Sequence, residues 1–207
     1  MLVKICGIRS ISAAQAAARH GAAMIGFVFA PSRRFIEPAI AAEIAEAVPN
    51  VKTVGVFVDA PLEFVRQTAK ICGLSYVQLH GKESPAYAAA VKYPVIKAFR
   101  FGEDFSVAAA NLYPADMILI DSWQPGAAGG TGSCFDWKAA QQEVQKLKKP
   151  CLIAGGLHAG NASTAVQMFW PQGLDVSGGV EENGEKSEEK IQSFMQAVQQ
   201  AEQEMKK

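Results

Sequence analysis

Short β-branched runs alternate with Ala-rich amphipathic stretches along the whole 207-residue chain, and this alternation leaves few folds open. A strand, a helix and a second strand running the same way build a parallel sheet with crossover helices. Eight strands are predicted: Leu2 to Cys6, Met24 to Phe29, Thr53 to Val58, Tyr76 to His80, Val95 to Arg100, Met117 to Asp121, Cys151 to Ala154, and Leu174 to Ser177. Helical patterns fill the gaps, at about 11–20, 38–47, 61–72, 84–91, 104–111, 136–147, 160–169 and 187–203. The last carries Ile191, Phe194, Met195 and Val198, spaced to bury one face against a sheet. The fold expected is α/β, a single (β/α)8 TIM barrel over residues 1–207 with short loops, because the length lies near the lower limit of about 200 residues for such barrels. A doubly wound open sheet is the alternative, but the first turn, Cys6-Gly7-Ile8-Arg9, lacks its phosphate-binding glycines.

Composition narrows the function. Twenty basic and twenty acidic residues cancel, leaving no electrostatic footprint for nucleic acid or an anionic membrane. No apolar run approaches the roughly 20 residues of a spanning helix. The cysteines at 6, 72, 134 and 151 show no metal-ligand spacing, and nothing at the start reads as a signal peptide, so reduced thiols and a cytoplasmic location are expected.

Chemistry in parallel barrels collects at the carboxyl ends of the strands. Cys6 ends the first strand and Asp121 ends the sixth, an otherwise apolar run from Met117 to Ile120. A thiol there is either a small buried residue or, ionised, a base or nucleophile. A carboxylate at a strand tip must face the mouth or be hydrogen-bonded, and partial burial would suit it to donate a proton. Asp59 and His80 sit at comparable tips; Asp59, before Ala60-Pro61, reads as a helix cap, and His80 either lines the pocket or bonds to a neighbouring loop. Asp136 reads as the cap of the sixth helix.

Two glycine turns follow the seventh and eighth strands, Gly155-Gly156 and Ser177-Gly178-Gly179. Loops at those two places make the recurrent phosphate site of barrels, where unobstructed amides approach an anion. They predict a small phosphorylated substrate. A third cluster, Gly126 to Gly132, reads as a loop closing over the ligand or as a plain connection. Arg33 and Arg34, after the second strand, could hold a substrate carboxylate bidentately or form a solvated pair.

With these residues placed, the chain resembles the phosphoribosylanthranilate isomerases of tryptophan biosynthesis from end to end. The resemblance runs through Val3-Lys4-Ile5-Cys6-Gly7-Ile8, Gly26-Phe27-Val28-Phe29, Ser32-Arg33-Arg34-Phe35-Ile36, Gly55-Val56-Phe57-Val58 and Val77-Gln78-Leu79-His80-Gly81. It continues in Leu119-Ile120-Asp121-Ser122, Gly129-Gly130-Thr131-Gly132 with Phe135-Asp136-Trp137, Ala154-Gly155-Gly156-Leu157, and Leu174 to Glu181. It implies a cofactor-free, metal-free Amadori rearrangement of N-(5-phosphoribosyl)anthranilate. Asp121 would then be the general acid opening the ribose ring and Cys6 the base taking the sugar C2 proton, with the acid kept protonated and the thiol kept ionised. Arg34 matches the position that meets the anthranilate carboxylate, and the phosphate would rest on amides around Gly156, Ser177, Gly178 and Gly179. Gly178 stands where the family usually has serine, and His158 where asparagine commonly follows Gly-Gly-Leu.

Lys4 shares the inward face of Cys6 and could lower its pKa. Alternatively, Lys4 or Lys97 could be the amine of a Schiff-base aldolase. A sugar-phosphate-binding barrel without chemistry is a third reading. The single-barrel length suits a monomer, with a homodimer also open.

Overall fold

A computed structural model describes residues 1–121 and 137–206. Eight parallel strands close into one barrel in chain order: β1 (Leu2–Cys6), β2 (Met24–Val28), β3 (Lys52–Phe57), β4 (Tyr76–Leu79), β5 (Val95–Arg100), β6 (Met117–Asp121), β7 (Cys151–Ala154) and β8 (Gly173–Val176). β8 pairs back onto β1, with Lys4 opposite Asp175. The helices are α1 (Ile11–Arg19), α2 (Pro38–Glu46), α3 (Leu62–Ile71), α4 (Pro85–Val91), α5 (Val107–Leu112), α6 (Trp137–Val144), α7 (Ala159–Phe169) and α8 (Glu188–Met205). The barrel predicted from the alternation is therefore the fold. The closing glycine cluster and the Asp136 cap lie outside the described residues.

Alternation along each strand divides the apolar residues into two cores. Val3, Ile5, Ile25, Phe27, Phe57 and Ile118 are among those facing outward against the helices. Met24, Val54, Ile96, Ala98, Leu119, Leu152 and Ala154 fill the barrel itself. The predicted stripe on α8 is buried as expected, through Ile191, Phe194, Met195, Val198 and Ala201.

Serine sets four of the helix starts. Ser10, Ser84, Ser106 and Ser187 each accept a hydrogen bond from a backbone N–H in the first turn, at 3.2 to 3.4 Å. α3 starts differently, and the cap reading of Asp59 is incorrect. Pro61 occupies the N-cap position of α3 without a side-chain bond. Asp59 adopts φ +48° and turns its Oδ1 to the N–H of Lys82, 2.7 Å away, so it ties the loop after β3 to the loop after β4.

One element was not anticipated. Beyond a 3-10 turn at Gly178–Val180, β9 (Glu181–Glu182) and β10 (Glu185–Lys186) form a small antiparallel hairpin before α8. Its two-residue loop is Asn183-Gly184, with φ of +51° and +84°, as a hairpin of this length demands. Register sets Lys186 opposite Glu181.

Candidate active site

All eight strands point their carboxyl ends the same way, so the residues singled out at strand tips share one mouth. Cys6 and Asp121 end β1 and β6, Arg34 and His80 follow β2 and β4, and Gly156, Ser177, Gly178 and Gly179 follow β7 and β8. Ala98 and Ala154, interior residues high on β5 and β7, are small and leave room above them.

Beneath the thiol lies a buried ion pair. Lys4 is 1% exposed, and its Nζ donates to Asp175 Oδ1 at 2.9 Å across the β1–β8 seam. Gly26, the register partner of Cys6 on β2, makes room for the convergence. A Cβ at Gly26 would lie 3.0 Å from Cys6 Sγ and 3.0 Å from Lys4 Nζ. Burial opposes the charge on Lys4, but Asp175 and Cys6 together hold its pKa above that of an ordinary lysine. For the thiol the balance goes the other way: burial raises its pKa, and the pull of Lys4 and Lys186 offsets this only in part. Lys4 does act in the predicted direction, but desolvation is the larger effect.

Asp121 is positioned by histidine. His80 Nε2 lies 3.3 Å from Asp121 Oδ2, and its Nδ1 lies 3.2 Å from Gln78 Nε2. In the neutral tautomer that accepts from Gln78 at Nδ1, the ring proton is on Nε2 and points at the carboxyl group. The link from His80 to Asp121 is new. A cavity of about 430 Å³ opens here, lined by Asp59, His80, Ala98 and Arg100 among others.

The two glycine turns meet each other. A Cβ on Gly179 would stand 2.8 Å from the carbonyl carbon of Leu157 and 2.9 Å from His158 Cα, so only glycine lets the loops after β7 and β8 touch. Gly155 and Gly156 have φ of +88° and +64°, a region other residues rarely adopt. His158 serves as the N-cap of α7: its Nδ1 accepts from Gly160 N at 3.1 Å while Asn161 Oδ1 accepts from His158 N at 2.8 Å. The departure from asparagine therefore preserves the helix start. Ser177 directs its hydroxyl to the carbonyl of Cys6, 3.0 Å away.

Arg34 lies across the end of β1, its Cδ close to the position a Gly7 side chain would take. Its head makes a two-point ion pair with Glu181, Nε to Oε1 at 2.6 Å and Nη2 to Oε2 at 3.0 Å. Arg33 also reaches Glu181, but its side chain is 65% exposed against 25% for Arg34, which is the one turned into the mouth. Lys186 Nζ donates to the same carboxylate at 2.7 Å and to the Ser177 carbonyl at 3.0 Å. Glu181 is consequently held down to about 2, against the opposing effect of its burial. The sequence reading did not single out Asp175, Glu181 or Lys186 as site residues. Asn183-Gly184, a strong hairpin signal, could have revealed the strand that carries Lys186.

Lys97, the other amine considered, is locked away from the mouth's chemistry. It is 3% exposed and donates to Glu83 Oε2 at 2.9 Å and to the carbonyls of Leu79 and Gly81 at 3.3 and 2.5 Å. Glu83 in turn accepts from the N–H groups of Asp59 and Gly81, bracing the loop that carries His80.

Residues 3–197 match the model of the N-(5'phosphoribosyl)anthranilate (PRA) isomerase family. The N-(5'-phosphoribosyl)anthranilate isomerase of Desulforudis audaxviator is 44% identical over 203 residues, covering 97% of this chain and 98% of the relative. Among solved structures, phosphoribosyl anthranilate isomerase from Thermus thermophilus superposes with a TM-score of 0.86 at 38% identity, covering 97% of this chain and 99% of that one. A second isomerase, solved with reduced 1-(o-carboxyphenylamino)-1-deoxyribulose 5-phosphate, superposes with a TM-score of 0.83 at 31% identity and covers 97% and 99% of the two chains. Barrel, site and relatives agree, and the chain belongs to the PRA isomerase family.

Proposed function

We propose that this chain isomerises N-(5'-phosphoribosyl)anthranilate, a step of tryptophan biosynthesis, with Asp121 as general acid and Cys6 as general base. The observation that carries the assignment is the pairing of Cys6 Sγ with Lys4 Nζ around Gly26, which puts a fixed cation beside the one mouth-facing thiol among the described residues.

Asp121 gives its proton to the ribose ring oxygen as the bond from that oxygen to C1 breaks, leaving a protonated Schiff base between C1 and the anthranilate nitrogen. The carboxylate formed is stabilised by the His80 Nε2–H that faces it. Cys6, three strands away by way of β8 and β7, removes the proton from C2, and the electron pair left behind gives the enolamine. A proton added at C1 and one lost from the C2 hydroxyl then yield the ketone. Cys6 acts in this step as its thiolate, which the cationic Schiff base joins Lys4 and Lys186 in stabilising against the cost of burial.

Arg34 would meet the anthranilate carboxylate, and backbone amides of Gly156, Ser177, Gly178 and Gly179 the phosphate. The aldolase reading loses support, because Lys4 is held as a charged, paired ammonium and Lys97 is enclosed by three acceptors. Cys6, Cys72 and Cys151 are free thiols, which suits a reducing cytoplasm. The single barrel would act as a monomer.

The test is turnover followed by the loss of anthranilate-type fluorescence. Cys6→Ala and Asp121→Ala should each lower kcat by about 10²- to 10⁴-fold or more, the range for a positioned proton-transfer group, with the circular dichroism of the fold retained. Near-normal turnover in either variant removes that residue from the mechanism.

A further inference from the structure

An arginine offers two edges for a carboxylate, the side edge of Nε with Nη2 and the end edge of Nη1 with Nη2. In Arg34 the side edge is taken by Glu181, while Nη1 has no hydrogen bond among the described residues. Glu181 is itself fixed: its side chain is 6% exposed and shares Oε1 with Lys186, which is anchored to the carbonyl and hydroxyl of Ser177. Ser177 is bonded in turn to the carbonyl of Cys6. The line of contacts runs from the ends of β1 and β8 to the arginine head, with no long, free side chain in it.

We propose that Glu181 is a positioning residue for substrate recognition, clamping the side edge of Arg34 so that its end edge is presented to the aryl carboxylate. This rests on the reading of Arg34 as the carboxylate ligand. Charge supports it, since Arg33, Arg34 and Lys186 surround the single carboxylate of Glu181. The cluster therefore keeps a surplus of positive charge to attract a second carboxylate. The stem of Arg34 supports it as well: Cδ and Cγ lie 2.5 and 3.3 Å from the place of a Gly7 Cβ, and Nη2 lies 3.4 Å from that of a Gly178 Cβ. A serine at 178 would add its side chain beside that head, whereas glycine leaves Glu181 as the group that sets its direction.

The experiment compares two ligands on the full chain by calorimetry: reduced 1-(o-carboxyphenylamino)-1-deoxyribulose 5-phosphate and its phenylamino counterpart without the carboxylate. The unmodified chain should prefer the carboxylated ligand by about tenfold or more, the scale of one bidentate charge-assisted pair. Glu181→Gln should abolish that preference, weakening the carboxylated ligand about tenfold with the other unchanged, and should raise KM while kcat stays within about threefold. Equal weakening of both ligands, or of neither, overturns the proposal. If Glu181→Gln does not fold, Glu181→Asp, which withdraws the carboxylate by one methylene, should show the same selective loss in smaller measure, and equal effects again overturn it. An unmodified chain that shows no preference would instead refute the reading of Arg34, a separate result from failure of the clamp.

Discussion

Replacing Gly26 with alanine adds one methyl group where the Cys6 thiol and the Lys4 ammonium converge. That carbon would lie 3.0 Å from each, and 3.2 Å from the Cα of Cys6, tighter than nine in ten contacts that real β-carbons make. Lys4 cannot yield easily, because its Nζ is held by Asp175 at 2.9 Å inside the barrel. The end of β1 must therefore move by a few tenths of an ångström or more. Overpacking of this kind costs about 1–3 kcal/mol of stability, which for a chain of this size lowers Tm by roughly 2–4 °C per kcal/mol. Displacing a reacting group by about 1 Å can cost about 10²-fold in rate, so a shift of a few tenths of an ångström should lower kcat/KM by about threefold to tenfold. Gly55→Ala provides the comparison. Its new carbon would stand 2.8 Å from the Phe57 ring and press on Leu74, a clash at least as severe but on the outer side of the sheet, away from the mouth. Thermal melts and initial rates measured on both variants separate the two effects. Normal kcat/KM in Gly26→Ala, or an equal loss of activity in Gly55→Ala at equal Tm, would refute the role given to Gly26.

Other outcomes follow from the same structure. Alkylation of Cys6 by iodoacetamide, mapped by mass spectrometry, should accelerate only above the ordinary thiol value of 9.0, and Lys4→Met should shift the profile to still higher pH; an unshifted profile in Lys4→Met would show that the ammonium does not act on the thiol. Glu181 has a folded-state pKa of about 2 against an ordinary 4.5, so its contribution to stability is present above about 4.5 and lost as pH falls toward 2. Acid melts of Glu181→Gln should accordingly flatten in that window relative to the unmodified chain. Lys97→Met leaves Glu83 charged and buried without its partner, which should cost about 3–5 kcal/mol in denaturant melts. No Schiff base should be trapped on Lys97 by borohydride; a trapped adduct would restore the aldolase reading.

The barrel was legible because its two periods, strand and helix, repeat without interruption, and β1, β5, β6 and β7 begin and end where the pattern says. The other strands stop one residue short of their expected ends, at Val28, Phe57, Leu79 and Val176, where the chain turns into loops that carry site residues. The proton-transfer candidates could be found for the same reason, since strand tips are fixed by the alternation. Their environment could not. That burial outweighs Lys4 at the thiol, that His80 faces Asp121, and that Glu181 holds Arg34 are facts about side chains brought together from distant strands and loops. Lys186 was hidden by the brevity of its strand, and Asp59 by a left-handed backbone that turns its carboxylate away from the neighbouring helix and onto Lys82.

Closure of the barrel by β1 against β8 also has a consequence for how the molecule is made. Lys4 and Asp175 are 171 residues apart in the chain, so the cation beside Cys6 acquires its counter-charge only after almost everything else has been synthesised. At roughly 5–20 residues per second, a ribosome needs on the order of ten to thirty seconds to cover that distance. Throughout that interval the first strand has an open edge and a lysine that belongs in the interior, both of which disfavour early burial. Final zippering of the seam thus completes the sheet and the proton-transfer site in one event, and a nascent chain lacking its last strand would have a thiol but no working base.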